Sequence, residues 1–282
     1  MAAPTNPSAQ ASAAPRPLRA DAEVVALRAE GGANRRLTLR LDPWPGFEPG
    51  QFAMLSPGPR AAVPRDDPLL PRPMAVYRAT RAGGTAADVE ILFKVEGRGT
   101  ALLADSRPGQ RVGFVGPLGR PFPEPAPGES ALVVAGGTGI ASVRELAVRL
   151  GAKADTAVLL GAQSAEELMG AQDFASPGVR LRIATEDGSE GERGRVTDLL
   201  EAELDDRPGR VYACGPTPMM RRCAEIAAER GVACIASLEN PMACGFGVCL
   251  GCAAPLRAGG FALVCRDGPP MDAHAIAWEW MP

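Results

Sequence analysis

Four cysteines set the tightest limit on what this chain can become. Cys244, Cys249 and Cys252 form a C-x4-C-x2-C run, and Cys265 follows after twelve intervening residues. This is the spacing of plant-type [2Fe–2S] sites. Three thiolates must converge on one side of a tight loop while backbone N–H groups approach the sulfurs. Gly245, Gly247 and Gly251 permit that approach and the positive φ angles it requires. A structural zinc site or four plain buried thiols are the competing readings. Zinc sites more often pair two C-x2-C knuckles, and this run has one. Of the cysteines outside the run, Cys223 and Cys234 read as small buried hydrophobes.

Upstream, the chain changes character once. Residues 23–28, 36–41, 51–56, 73–80, 89–95 and 111–115 read as short strands between Pro and Gly turns, with one short helix at 100–104. Alternation such as Arg36-Leu37-Thr38-Leu39-Arg40-Leu41 is that of a half-buried strand, and strands so spaced favour a small antiparallel β-barrel. After the Pro-rich stretch 122–128, apolar strands at 131–135, 156–160, 179–184 and 210–213 alternate with helices at 140–150, 196–203 and 218–230. That order predicts a parallel sheet wound with helices, a Rossmann-like α/β unit whose ligands lie beyond the carboxyl ends of its strands. The expected division is a disordered tail over 1–16, a β-barrel domain over 17–124, an α/β domain over 129–235 and a small cysteine-loop region over 236–282.

Two turns of the α/β unit carry chemistry. Val133-Val134-Ala135-Gly136-Gly137-Thr138-Gly139 is a buried strand entering a glycine turn that opens a helix, where free N–H groups face a pyrophosphate. It lacks the G-x-G-x-x-G spacing, and such a turn can equally serve packing alone. Cys214-Gly215-Pro216 ends another strand in the same way, so both turns would flank one extended ligand.

Charge and hydropathy exclude other classes. A net charge near −3 with no basic block offers no footprint for nucleic acid or an anionic membrane, and no apolar run spans a bilayer. No signal-peptide core stands at the N-terminus, so a cytoplasmic protein is expected. His274, the single histidine, lies in an Ala-rich stretch and reads as a surface residue.

With these residues in view, the chain resembles the ferredoxin reductase-like flavoproteins, and among them the electron-transfer subunits of bacterial two-subunit dihydroorotate dehydrogenases. Arg72-Pro73-Met74-Ala75 is similar to the family's FAD-binding stretch on a barrel strand, with Ala75 where a hydroxyl residue is usual. Leu92-Phe93-Lys94 and Gly99-Thr100 resemble the next FAD contacts. Gly136, Gly137, Thr138 and Gly139, with Cys214, Gly215 and Pro216, resemble the two turns that hold the nicotinamide dinucleotide, and Thr185-Glu186-Asp187-Gly188-Ser189 the family's acidic turn. The run from Ser237 through Cys252, closed by Cys265-Arg266-Asp267-Gly268-Pro269, is the most specific match; Asn240-Pro241 departs from it where charged residues are commoner.

The resemblance implies FAD, NAD and one [2Fe–2S] cluster held by Cys244, Cys249, Cys252 and Cys265. It also implies a heterotetramer with an FMN-containing catalytic subunit that oxidises dihydroorotate, whose electrons reach NAD+ through the cluster and FAD. A nicotinamide exchanges two electrons as hydride and a cluster one at a time, so a flavin must stand between them. No acid–base residue is assigned to the chemistry. Carboxylates in the loop after the second α/β strand, Glu166 and Glu167, predict NAD(H) over NADP(H). The rival enzyme reading is a reductase subunit of hydrogenase or ferredoxin:NADP+ oxidoreductase type, and the rival non-enzyme reading a zinc-binding interaction protein.

Overall fold

The computed structural model describes residues 15–58, 70–206 and 209–281. Residues 1–14 of the expected tail lie outside the described residues.

The first unit contains β1 (Leu18–Ala29), β2 (Asn34–Leu41), β3 (Phe52–Ser56), β4 (Arg72–Ala75), β5 (Arg78–Gly83), β6 (Ala86–Lys94), helix α1 (Arg98–Ala104) and β7 (Arg111–Leu118). The strands form one antiparallel sheet in the order β4-β3-β7-β1-β2-β6-β5. Leu37, Leu39 and Leu41 of β2 point inward, at most 2% exposed, with Arg40 between them outside. Each such burial is worth roughly 1.5–3 kcal/mol. Val24, Ile91, Phe114 and Leu103 complete that core.

The strand expected over 73–80 is two strands at opposite edges of the sheet. Val76 and Tyr77 join them: the Val76 N–H donates to Gln51 O beside β3, and the Tyr77 N–H to Glu90 O on β6. The sheet therefore curls into a half-barrel, with this crossing spanning its open side.

The second unit contains β8 (Ala131–Gly136), α2 (Ile140–Gly151), β9 (Thr156–Ala162), β10 (Val179–Thr185), β11 (Glu192–Arg193), α3 (Val196–Asp206), β12 (Arg210–Cys214), α4 (Thr217–Glu229) and β13 (Cys234–Ser237). The sheet order is β11-β10-β9-β8-β12-β13, parallel throughout. The winding reverses between β8 and β12, so the glycine turn after β8 and the Cys214-Gly215-Pro216 turn after β12 face each other across the switch point, where such sheets bind ligands.

The last segment adds β14 (Ala253–Pro255), β15 (Phe261–Leu263), the single turn α5 (Val264–Asp267) and β16 (Pro270–Asp272). β16 pairs antiparallel with β13 and forms the far edge of the α/β sheet. The sheet thus holds β13 and β16 beyond the four strands expected from the sequence, because these two are too short to show a period. Among the described residues no helix is long and apolar enough to cross a membrane.

Candidate functional site

The cysteine loop leaves β13 and returns to β16, so both its ends are hydrogen-bonded into one sheet edge. Cys252 and Cys265 are buried, their sulfurs 3.2 Å apart, while Cys244 is half-buried and Cys249 exposed. Backbone N–H groups approach three of the sulfurs: Phe246 to Cys244 at 3.5 Å, Gly251 to Cys249 at 3.4 Å and Cys265 to Cys252 at 3.4 Å. Leu250 takes φ +61°, unusual for a side-chain-bearing residue, in the turn that aims the Gly251 N–H. Burial pushes the Cys244 thiol up, but N–H groups of Cys249, Phe246 and Val248 outweigh it and hold the thiol below its ordinary value. Cys265 is pushed up by burial and by Cys252 beside it.

Among the described residues, no three His, Cys, Asp or Glu side chains converge to seat a single metal ion. The fit to an iron–sulfur cluster rests instead on four soft thiol donors in one loop, three of them accepting backbone N–H groups. Gly245, at φ +84°, carries the loop across the barrel: an added Cβ would lie 2.6 Å from Met54 Cγ. Cys223 and Cys234 are buried in the core and belong to α4 and β13 rather than to the loop.

Beside the loop is a cavity of about 380 Å³. Arg72, Pro73, Met74, Ala75, Leu92, Phe93, Lys94 and Thr100 line it, together with Thr138 from the glycine turn and Ser237 to Met242 from the segment entering the cysteine loop. Apolar walls with Arg72 and Lys94 among them suit a ring system carrying phosphates. Gly99 lies behind the wall: an added Cβ there would sit 2.3 Å from Arg72 Nε, so the guanidinium rests on the start of α1. Thr100 Oγ1 accepts from the N–H groups of Glu96 and Gly97 at 3.0 and 3.1 Å, capping that helix. The Thr100 hydroxyl thus serves the helix start.

A second cavity, of about 450 Å³, lies over the carboxyl ends of β8, β9 and β12. Gly136, Gly137, Thr138 and Pro216 line it, with Gln163, Glu167, Glu186, Arg195 and Arg222. Gly139, Cys214 and Gly215 are not on its wall. They let the two turns touch: a Cβ on Gly139 would lie 2.2 Å from Cys214 O, and one on Gly215, at φ +153°, 2.8 Å from Gly136 O. Lys94, Glu96 and Thr138 line both cavities, which therefore meet at these three residues.

Glu239 was not singled out from the sequence. It reaches water through the first cavity yet is walled by protein on its other sides, and that enclosure raises its carboxyl to about 7. Cys214 and Thr138 hydrogen-bond to the carboxyl and oppose the rise. Arg195 and Arg222 were also missed; Arg222 is held by Glu201, Glu225 and Glu229. His274 is half-buried, its Nε2 3.1 Å from Val232 O, and serves the fold.

Comparison with known proteins bears on these sites. Residues 239–277 match the iron-sulfur cluster binding domain of dihydroorotate dehydrogenase B, and residues 133–225 the oxidoreductase NAD-binding domain. The dihydroorotate dehydrogenase B (NAD(+)) electron transfer subunit of Desulforamulus reducens is 36% identical over 236 residues, covering 82% of this chain and 87% of that protein. The subunit of the same name from Geobacillus kaustophilus is 40% identical over 237 residues, covering 81% and 86%. The chain belongs to this family of electron transfer subunits.

Among solved structures, a chain of the NADH-dependent reduced ferredoxin-NADP oxidoreductase superposes with a TM-score of 0.79 at 26% identity, covering 92% of this chain and 91% of its own. A ferredoxin reductase of carbazole 1,9a-dioxygenase shares the fold, at a TM-score of 0.62 and 22% identity over 77% of this chain and 66% of that one. The family match to the cluster-binding domain begins at Glu239, so the part of the first cavity's wall from Glu239 to Met242 and the cysteine loop fall within one matched unit.

Proposed function

We propose that this chain is the electron-transfer subunit of a two-subunit dihydroorotate dehydrogenase acting in pyrimidine biosynthesis. FAD occupies the cavity of about 380 Å³, NAD(H) the one of about 450 Å³, and Cys244, Cys249, Cys252 and Cys265 hold a [2Fe–2S] cluster. One observation carries the reading: a single segment, Ser237 to Met242, walls the flavin-side cavity and runs within two residues into Cys244, while Lys94, Glu96 and Thr138 join that cavity to the dinucleotide site. Three binding places are contiguous in the order that electron flow requires.

The flavin supplies the exchange between single electrons and hydride. The chain's own residues position and tune. Arg72 and Lys94 offer charge to phosphates; Pro73, Met74, Ala75, Leu92 and Phe93 form the ring's walls; Gly99 and Thr100 fix the helix start beneath Arg72. Gly136, Gly137, Thr138 and Pro216 face the dinucleotide, and Gly139, Cys214 and Gly215 hold the two turns together. The α/β unit over 129–235 and the cluster region over 236–282 accommodate the matched stretches 133–225 and 239–277, and the half-barrel lies within the FAD unit over 17–124.

In this reading the partner is an FMN-containing catalytic subunit, assembled with this chain as a heterotetramer in the cytoplasm. Phe246, Val248 and Leu250 support it: they stand 57%, 73% and 61% exposed on the cysteine loop, an apolar surface beside the cluster that a partner would cover. The test is to mix the purified chain with that subunit and follow dihydroorotate-dependent NADH formation. Activity only in the mixture supports the proposal. Turnover restored instead by a hydrogenase-type or ferredoxin-linked partner points to the rival reductase, and a colourless protein that binds zinc to the third reading.

A further inference from the structure

One wall of the dinucleotide cavity belongs to the α/β unit but is fastened to the barrel. Residues 163–174 follow β9, and Gln163 and Glu167 of this loop line the cavity. At its far end Asp173 turns its carboxylate toward the barrel, where Oδ2 accepts from the Tyr77 hydroxyl at 2.8 Å and from the Arg36 guanidinium at 2.6 Å. Tyr77 is completely buried, and its hydroxyl also lies 3.3 Å from Gly170 O. Gly170, at φ +64°, lets the turn close over the ring, since an added Cβ would sit 2.6 Å from that hydroxyl. At the near end, Asn34 Nδ2 donates to Glu167 O at 3.2 Å, and Lys94 Nζ lies 3.4 Å from the Glu167 carboxylate.

Arg36 does not depend on Asp173 for its charge balance, because Glu30 and Glu90 bond to it as well. The Tyr77 hydroxyl, by contrast, has its hydrogen-bonding partners only in this loop among the contacts described. Asp173 is held to the barrel by Tyr77, by Arg36 and, at 3.7 Å, by Arg78, and the Tyr77–Asp173 contact is the part of that hold that serves the loop alone. A binding wall fixed beforehand spares the ligand the entropic cost of ordering it.

We propose that Tyr77 and Asp173 form a latch that presets the dinucleotide-binding loop, which makes both of them positioning residues for NAD(H). The inference rests on the reading that NAD(H) occupies the cavity of about 450 Å³. It assigns to two residues outside that cavity a part of the affinity expressed inside it.

The experiment uses the FAD- and cluster-loaded chain. Tyr77→Phe removes the hydroxyl and keeps the buried ring, so the fold survives. NADH is titrated at equilibrium, and amide hydrogen exchange is followed over 163–174. The latch predicts that the NADH dissociation constant rises about threefold to tenfold, the range of one hydrogen bond. Exchange over 163–174 quickens, flavin and iron content match the parent, and turnover at saturating NADH stays within about twofold, on the same argument. Asp173→Asn shifts affinity in the same direction, and the double variant is no weaker than the stronger single one. A lower melting temperature with unchanged NADH affinity in both single variants would leave the contact a purely structural role and overturn the latch. If NADH binds the parent yet does not slow exchange over 163–174, the assignment of the cavity fails, and the latch with it.

Discussion

Cys214 Sγ, at the end of β12, lies 3.8 Å from Glu239 Oε1, at the start of the segment leading to the cysteine loop. The same thiol is 3.4 Å from Ser237 O, so the Cys214-Gly215-Pro216 turn and the entry to the cysteine loop are tied at one atom. Burial and the nearby carboxylate push the Cys214 thiol well above its ordinary value, keeping it a neutral donor.

The first prediction concerns Glu239. Glu239 faces water through the first cavity but is enclosed by protein on its other sides, and that enclosure raises its carboxyl to about 7, so the folded chain holds a proton that an unfolded glutamate, at 4.5, has already lost. The stabilisation this contributes is fully present below 4.5 and is lost as pH rises through about 7. Glu239→Gln removes the dependence. Melting measured at pH 5.5 and 8 should show the parent losing ground to the variant at the higher pH; a gap that stays constant contradicts the assignment.

Each of Cys244→Ser, Cys249→Ser, Cys252→Ser and Cys265→Ser should lose the visible iron–sulfur absorbance, because a serine oxygen binds this soft centre poorly. Cys223→Ser, a change within the packed core, should keep it. Iron analysis beside the spectra is decisive: parental iron in the Cys244 variant would refute the ligand set.

Gly139→Ala should uncouple the turn after β8 from the turn after β12. Its Cβ would meet Cys214 O at 2.2 Å and Gly215 N at 2.5 Å, backbone atoms that cannot rotate aside. A cost of about 1–3 kcal/mol in stability is expected from such overpacking, together with weakened NADH binding. Parental melting and parental affinity together would show that the turns yield freely.

Ala75→Ser tests the flavin-side wall. Ala75 lines the cavity without a polar side-chain atom, and a hydroxyl there can hydrogen-bond the ring. Titration of the flavin-free chain should show FAD binding about fivefold tighter, the worth of one added hydrogen bond. Unchanged or weaker binding would place the ring away from residue 75.

Discrimination between dinucleotides follows from the second cavity. Glu167 lines it and Arg222 is neutralised by Glu201, Glu225 and Glu229, so the specificity constant for NADH should exceed that for NADPH in dye reduction. A reversed ratio would give Arg195, also on that wall, the role of a 2′-phosphate ligand.

Much of the fold was legible because its signals are local. Leu37, Leu39 and Leu41 announce β2 by alternation alone, and Gly136 to Gly139 announce the switch-point turn by composition. The break of 73–80 into two strands was not legible, since Val76 and Tyr77 turn only to meet acceptors on separate strands. The pairing of β13 with β16 escaped for a related reason: three or four residues carry no period, and their partners lie across the whole cysteine loop. Glu239 stood inside the most specific motif, yet its enclosure depends on Thr138 and Cys214 from other turns. The Tyr77–Asp173 contact joins residues 96 positions apart, and neither has a neighbour in sequence that hints at the other.

The antiparallel pairing of β16 with β13 has a bearing on how the molecule can be taken apart. A truncation before Pro270, made to obtain a smaller reductase without its metal centre, would strip the covering strand from β13 and leave a row of unpaired amides facing solvent. The cysteine loop is a detour between two neighbouring strands, and excising it asks for a short bridge from Ser237 to Pro270, residues that already sit side by side in the register. Deletion within the chain keeps that sheet edge covered, at the loss of Glu239 to Met242 from the wall of the first cavity, whereas cutting from the chain's end invites edge-to-edge aggregation.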